Sequence, residues 1–235
     1  MKYFYYLLFG LSYSLAASAE LDATAFWYEE KETGTDVSQV RYLLTDQYIR
    51  IDEGRVENDY ILYDDRLQQI LSVNHADQTI LVIENSDWKK PAFSFQQSTR
   101  MKVLENAPRV AGKKVNSYQL LADDRVCTDI QYLPGLFTEQ MKLFKNYQRI
   151  LSAQQVRSLN NTPLAMQTPC FLLDQIYNEA DYFDLGLPIQ MWHARGYAKI
   201  LKSYNEVKVP AELFSLPQGY TRYYPYNRAS QTPSD

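Results

Sequence analysis

The stretch YIRIDEGRVENDYILYDDRLQQILSVNHADQTILVIE, residues 48–84, decides the fold. Ile49 and Ile51 alternate with Tyr48 and Arg50, Leu71 and Val73 with Ser72 and Asn74, and Leu81 and Ile83 with Ile80 and Val82. A period of two belongs to a strand, whose successive side chains point to opposite faces. Turn chemistry interrupts the pattern at Glu53-Gly54, at Asp64-Asp65-Arg66 and at Asn74-His75-Ala76-Asp77, the spacing of short strands joined by hairpins. Strands are therefore predicted at Tyr48–Asp52, Tyr60–Asp64, Gln68–Asn74 and Thr79–Glu84, and upstream at Ala23–Glu29 and Val40–Thr45. Connections this short make neighbours antiparallel, giving a β-meander with one apolar face that must be covered from elsewhere in the chain.

The cover is predicted after Pro134-Gly135, where Thr138 and Glu139 open a helical pattern. Phe137, Met141, Phe144, Tyr147 and Leu151 recur every three or four residues, on one side of a helix. Beyond Pro163 and Pro169, the residues Leu172, Leu173, Ile176, Tyr177 and Ala180 mark a second, shorter helix. A strand is expected at Val115–Leu121, and a closing hairpin at Pro188–His193 and Tyr197–Val207. Between residues 85 and 113 only Trp88, Phe93 and Phe95 suggest one more strand. The predicted class is α+β: an antiparallel sheet in one domain, residues 20–226, with a helical insertion at about 134–182 and a polar tail at 227–235.

Residues 1–19 have the three-part pattern of a cleaved export signal: Lys2, an uncharged run from Tyr3 to Leu15, then Ala17-Ser18-Ala19 before Glu20. The expected product is a periplasmic or secreted protein that is soluble once the signal is removed. In that oxidising compartment the chain's two cysteines, Cys127 and Cys170, are predicted to form a disulfide. Closing a loop of that length stabilises a fold by roughly 4 kcal/mol in the chain-entropy model.

Composition excludes more than it assigns. With 24 Lys and Arg against 28 Asp and Glu, the net charge of −4 argues against a nucleic-acid partner. Two His and two Cys are too few for the usual zinc sites without carboxylate help. Dinucleotide, phosphate-loop, zinc-protease and dithiol motifs are absent from the sequence, and no calcium loop fits. His75 is expected as an exposed turn residue and His193 as a strand-end residue with no partner evident in sequence. No catalytic, cofactor or metal residue is assigned, and the protein is expected to be non-enzymatic. Tyr220, Tyr223, Tyr224 and Tyr226, flanked by Arg222 and Arg228, form an aromatic–cationic cluster suited to partner contact.

The order of export signal, meander, helical insertion, Gly186-Leu187-Pro188-Ile189, terminal hairpin and Phe214-Ser215-Leu216-Pro217-Gln218-Gly219-Tyr220 resembles secreted proteobacterial proteins of unknown function. These in turn are similar to the lipoprotein-carrier superfamily. The resemblance implies a strongly curved sheet, a half-barrel wrapped over helices, with acyl chains in its concave interior. On that reading Ile49, Ile51, Leu71, Val73, Leu81 and Ile83 of the sheet, with Met141, Phe144, Tyr147 and Leu151 of the helix, would line a site for a lipid or lipoprotein. The alternative is an interaction module that meets an envelope protein through a sheet edge or the C-terminal tyrosines.

Overall fold

The computed structural model describes residues 19–92, 94–178 and 180–225. The expected export signal, Phe93, Tyr226 and the tail lie outside the described residues. The elements are β1 (Glu20–Lys31), β2 (Ser38–Leu44), β3 (Tyr48–Asp52), β4 (Tyr60–Asp64), β5 (Gln69–Asn74), β6 (Thr79–Glu84), β7 (Gln97–Val103), β8 (Asn116–Ala122), β9 (Arg125–Pro134), α1 (Thr138–Ser158), α2 (Pro169–Leu172), β10 (Gly186–His193), β11 (Ala198–Pro210) and β12 (Thr221–Tyr223). A single π-helical turn, Leu173–Tyr177, continues α2.

The strands form one open, curved sheet in the order β12-β6-β5-β4-β3-β2-β1-β11-β10-β9-β8-β7, so the class is α+β as expected. It consists of two meanders, β1 to β6 and β7 to β11, welded where β1 pairs antiparallel with β11 from Glu20↔Pro210 to Lys31↔Ala198. Among the described strands only β12 is parallel to its neighbour, β6. The sequence pattern missed β7 and β9. Asp123 and Asp124 both adopt φ above zero and make a two-residue hairpin turn between β8 and β9 without the glycine that normally signals one.

Over the first meander both faces of the sheet are buried. On one face Phe26, Tyr28, Tyr42, Leu44, Ile49, Tyr63 and Ile70 pack against Met141, Phe144 and Ile150 of α1. On the same face, α2 and the turns after it cover the second meander through Leu173, Ile176, Tyr177 and Tyr182. The other face carries Leu43, Leu62, Leu71, Val73, Ile80 and Val82, sealed by the C-terminal segment with Leu213, Phe214, Leu216 and Tyr220. Two of the predicted lining residues are corrected here: Leu71 and Val73 lie on the face away from α1. On β5 it is Ile70 that faces the helix, opposite Tyr63 and Ile83 in the register. When both faces of a strand are apolar, alternation alone does not say which set turns inward.

The C-terminal cover is held by a buried charge cluster. Asp52 accepts two hydrogen bonds from Arg41, at 2.9 Å each, and one from Arg50 Nε at 2.6 Å. Arg50 lies over the Tyr60 ring at 3.7 Å and donates to the Leu213 carbonyl at 2.7 Å. Burial alone would raise the Asp52 pKa, but the hydrogen bonds from Arg41 and Arg50 outweigh it and hold the carboxyl below its ordinary value. The ionised form is therefore favoured by folding: its contribution is present above the unfolded pKa and lost as pH falls through the folded one. Asp52→Asn should cost about 3–5 kcal/mol at neutral pH by leaving two guanidinium groups undercompensated. In thermal melts the gap from wild type should narrow below pH ~4; a gap independent of pH would contradict this assignment.

Candidate functional site

Where β1 leaves the sheet beside the β10–β11 hairpin, the strands, α1 and the segment after α2 enclose a pocket of about 480 Å³. Register builds its floor. Glu30 of β1 stands directly opposite Lys199 of β11, and Lys199 Nζ meets Glu30 Oε1 at 3.1 Å. The Lys199 ammonium also lies over the rings of Tyr42, at 3.7 Å, and Tyr28, at 4.4 Å. The Tyr42 hydroxyl donates to Glu30 at 2.7 Å. Burial lowers the Lys199 pKa, and the Glu30 charge only partly restores it. Burial pushes Glu30 the other way, but Lys199 and the hydroxyls of Tyr42 and Tyr197 win, so Glu30 is held below the usual carboxylate range. Burial foremost, then the nearby Glu30 charge, raises Tyr42 and Tyr197 far above an ordinary phenol, leaving both as neutral O–H groups.

The far wall holds a second buried carboxylate. Asp174, on the π-helical turn, has its side chain fully out of solvent, and its Oδ1 accepts a hydrogen bond from the Thr128 hydroxyl of β9. Its Oδ2 lies 3.3 Å from His193 Nδ1 and 3.7 Å from Arg195 Nε, charge-pair distances, yet neither contact is aimed as a hydrogen bond and Oδ2 has no such partner among the described residues. Phe144, Tyr147, Gln148 and Leu151 of α1 form the roof, and Tyr182 and Phe183 the side. The rim closes where Gly196, at φ +90°, brings the β10–β11 turn against Thr33; a Cβ there would fall 1.9 Å from the Thr33 hydroxyl.

The Cys127–Cys170 disulfide forms as expected and explains how Asp174 is placed. Cys127 precedes Thr128 on β9, and Cys170 lies one helical turn before Asp174, so one covalent link holds both ends of the Thr128–Asp174 hydrogen bond.

Of the ten predicted lining residues, Phe144, Tyr147 and Leu151 do line this pocket. Ile49, Ile51 and Ile83 belong to the packed core beneath α1 with Met141, and Leu81 shares their face by its spacing from Ile83. That core is filled by rings: Phe26 meets Phe137 at 5.1 Å and Phe144 at 6.4 Å. Tyr220, expected in the partner-contact cluster, is partly buried in the C-terminal cover. Its hydroxyl is 2.8 Å from His75 Nδ1, and the imidazole, expected to be exposed, is half-buried against the Tyr220 ring. Tyr223 and Tyr224 are exposed. His193, for which the sequence shows no partner, has Asp174 and Thr128. The sequence reading missed Glu30, Lys199, Asp174 and Arg195. Adjacency to the two cysteines could have flagged Thr128 and Asp174; the Glu30–Lys199 pair required knowing the β1–β11 register.

Replacing both cysteines, Cys127→Ser with Cys170→Ser, should lower stability by about 4 kcal/mol, the chain-entropy value for a loop of this length. In amide hydrogen exchange it should also expose residues 169–178 while leaving β3 to β6 protected. Uniform loss of protection would show that the disulfide does not act locally on Asp174.

Among the described residues no helix is long and apolar enough to cross a membrane, and no group of three or more His, Cys, Asp or Glu is arranged to hold a metal ion. No family model matches the chain, and no curated protein matches it. Among solved structures, PNGF-II in space group C2 matches at 8% identity with a TM-score of 0.40, and PNGF-II in space group P21 at 10% with 0.41. Each alignment covers 86% of this chain and 31% of the other, so the chain spans about a third of the length of those structures. A likeness this slight carries no argument about activity.

Proposed function

We propose that the protein is an exported, non-catalytic binding protein of the cell envelope that holds an amphipathic small ligand in the pocket at the β1–β11 seam. The observation that carries the reading is Asp174 Oδ2: a fully buried carboxylate oxygen without a hydrogen bond, in the wall of a cavity of about 480 Å³. Its charge is matched by His193 and Arg195 at 3.3 and 3.7 Å, but it accepts no directed hydrogen bond among the described residues, and a bound donor would supply one. The volume lies within the range of roughly 300–1,000 Å³ common for small-molecule sites. The buried ionisable groups are paired with one another, Lys199 with Glu30 and His193 with Asp174, and no Ser or Cys is among the lining residues; both facts favour binding over catalysis. The sequence resemblance to lipoprotein carriers supports an envelope role. The ring packing beneath α1 moves the ligand from the sheet's interior to this edge pocket, where its apolar part would meet Phe144, Leu151 and Phe183.

A second reading, an interaction module, is favoured by β7, an edge strand exposed along nearly all its length with Met101 at 60% and Val103 at 44% exposure. Unpaired edges of this kind accept an added strand.

Native mass spectrometry of protein purified gently from its own envelope should show a bound small molecule on the wild type and none on Leu151→Trp, whose indole would occupy the pocket. Wild type and variant equally bare would contradict the proposal.

A further inference from the structure

We infer that the ligand group held in this pocket is a neutral pyranose, the sugar ring of a free saccharide or of a glycosylated headgroup. The inference rests on the pocket being a ligand site and names the chemistry that completes it.

Charge comes first. Lys199 is neutralised by Glu30 at 3.1 Å, and Asp174 faces His193 and Arg195 at 3.3 and 3.7 Å. A strongly anionic ligand would have to compete with Glu30 or Asp174 for these cations, and a strongly cationic one with Lys199 or Arg195 for these carboxylates. Desolvated charges are costly to leave without their partners, and Glu32, the other lining carboxylate, is exposed at the rim, so the interior of the site favours a ligand that brings hydrogen bonds and no net charge.

What remains unused is a mixed set of donors and acceptors. Asp174 Oδ2 accepts; the guanidinium of Arg195, whose side chain is 39% exposed, donates. Gln148 and Gln175 both line the pocket, and each amide offers a donor and an acceptor. Adjacent sugar hydroxyls, each both donor and acceptor, match such a mixture; a carboxylate or an ammonium matches only half of it.

The walls supply the third term. The aromatic residues Tyr147, Tyr182, Phe183 and Tyr197 line the cavity, and Phe183 is fixed in parallel stacking on Phe144 at 5.4 Å. The face of an aromatic ring is electron-rich, so it packs against the slightly positive C–H face of a pyranose while the hydroxyls at the sugar's rim reach the polar groups. An acyl chain would leave Asp174 Oδ2 unsatisfied, which is the defect the ligand must cure.

Met191 lines the pocket whereas Met101 lies on the exposed edge strand, so their methyl groups make an internal probe and control. Mature protein labelled with ¹³C at the methionine methyls should be titrated with glucose, galactose, mannose, N-acetylglucosamine and chitobiose. At least one sugar should shift the Met191 methyl saturably and leave Met101 unmoved, and Asp174→Asn should weaken it tenfold or more. Should Asp174→Asn not fold, Gln148→Ala, on the helix surface facing the pocket, should weaken the same sugar measurably. A saturable shift with affinity unchanged in the variants places the sugar elsewhere and overturns the inference. No shift with any sugar, while a non-saccharide molecule is found on native protein, overturns the inference and leaves the binding role standing. No shift on a protein that is also bare overturns both.

Discussion

The structure depends on the pairing of β1 with β11. These are the two longest of the described strands, of 12 and 13 residues, and among the described residues their ladder is the only strand pairing that joins the two meanders. Each meander closes locally through hairpins, whereas this ladder brings together residues more than 160 positions apart, such as Tyr28 and Leu201. Loop-closure entropy grows slowly with length, so a long ladder readily outweighs it, but the contact is necessarily a late and non-local one. A register shift at Trp27/Tyr28 lets the ladder turn, and beyond it Glu30 meets Lys199. The same constraint that closes the sheet therefore creates the floor of the pocket.

The helical insertion then turns that seam into a site. Between β9 and β10 the chain leaves the sheet, lays α1 over the first meander, and returns through α2 and the π-helical turn over the second. The disulfide ties the return path to β9, and Asp174 is held where a local unfolding of a short, irregular segment would otherwise release it. Buried polar groups rigidify a core when every member is satisfied and are costly when one is not. Here the Glu30 cluster is satisfied and Asp174 is not, an asymmetry expected where the missing partner is a ligand.

How much of this could be read from the sequence follows from the range of the interactions. The limits of β3, β4 and β6 are set by neighbouring residues, and alternation with turn chemistry located them. The α1 stripe was equally legible, because Phe137, Met141, Phe144 and Tyr147 repeat at helical spacing. Alternation could not orient β5, since Ile70 on one side and Leu71 with Val73 on the other are both buried. The turn at Asp123-Asp124 concealed β9 because aspartates took the positive φ values usually left to glycine. The contact of Tyr220 with His75 was hidden because His75 sits in a turn 145 residues earlier. The site itself was nearly invisible: Glu30, Asp174 and Lys199 are ordinary charged residues in sequence, and become a constellation only when the seam and the disulfide bring them together. The disulfide was legible from the cysteine count and the compartment, and with it half of the Thr128–Asp174 contact.

The most direct test is a high-resolution crystal structure of the mature protein isolated from its own envelope without harsh washing. The account predicts continuous non-protein density in the pocket between Tyr147 and Phe183, with a hydrogen-bond donor about 2.7–3.0 Å from Asp174 Oδ2. A pocket closed by its own side chains, or one in which an isolated ordered water satisfies Asp174 Oδ2, would contradict it.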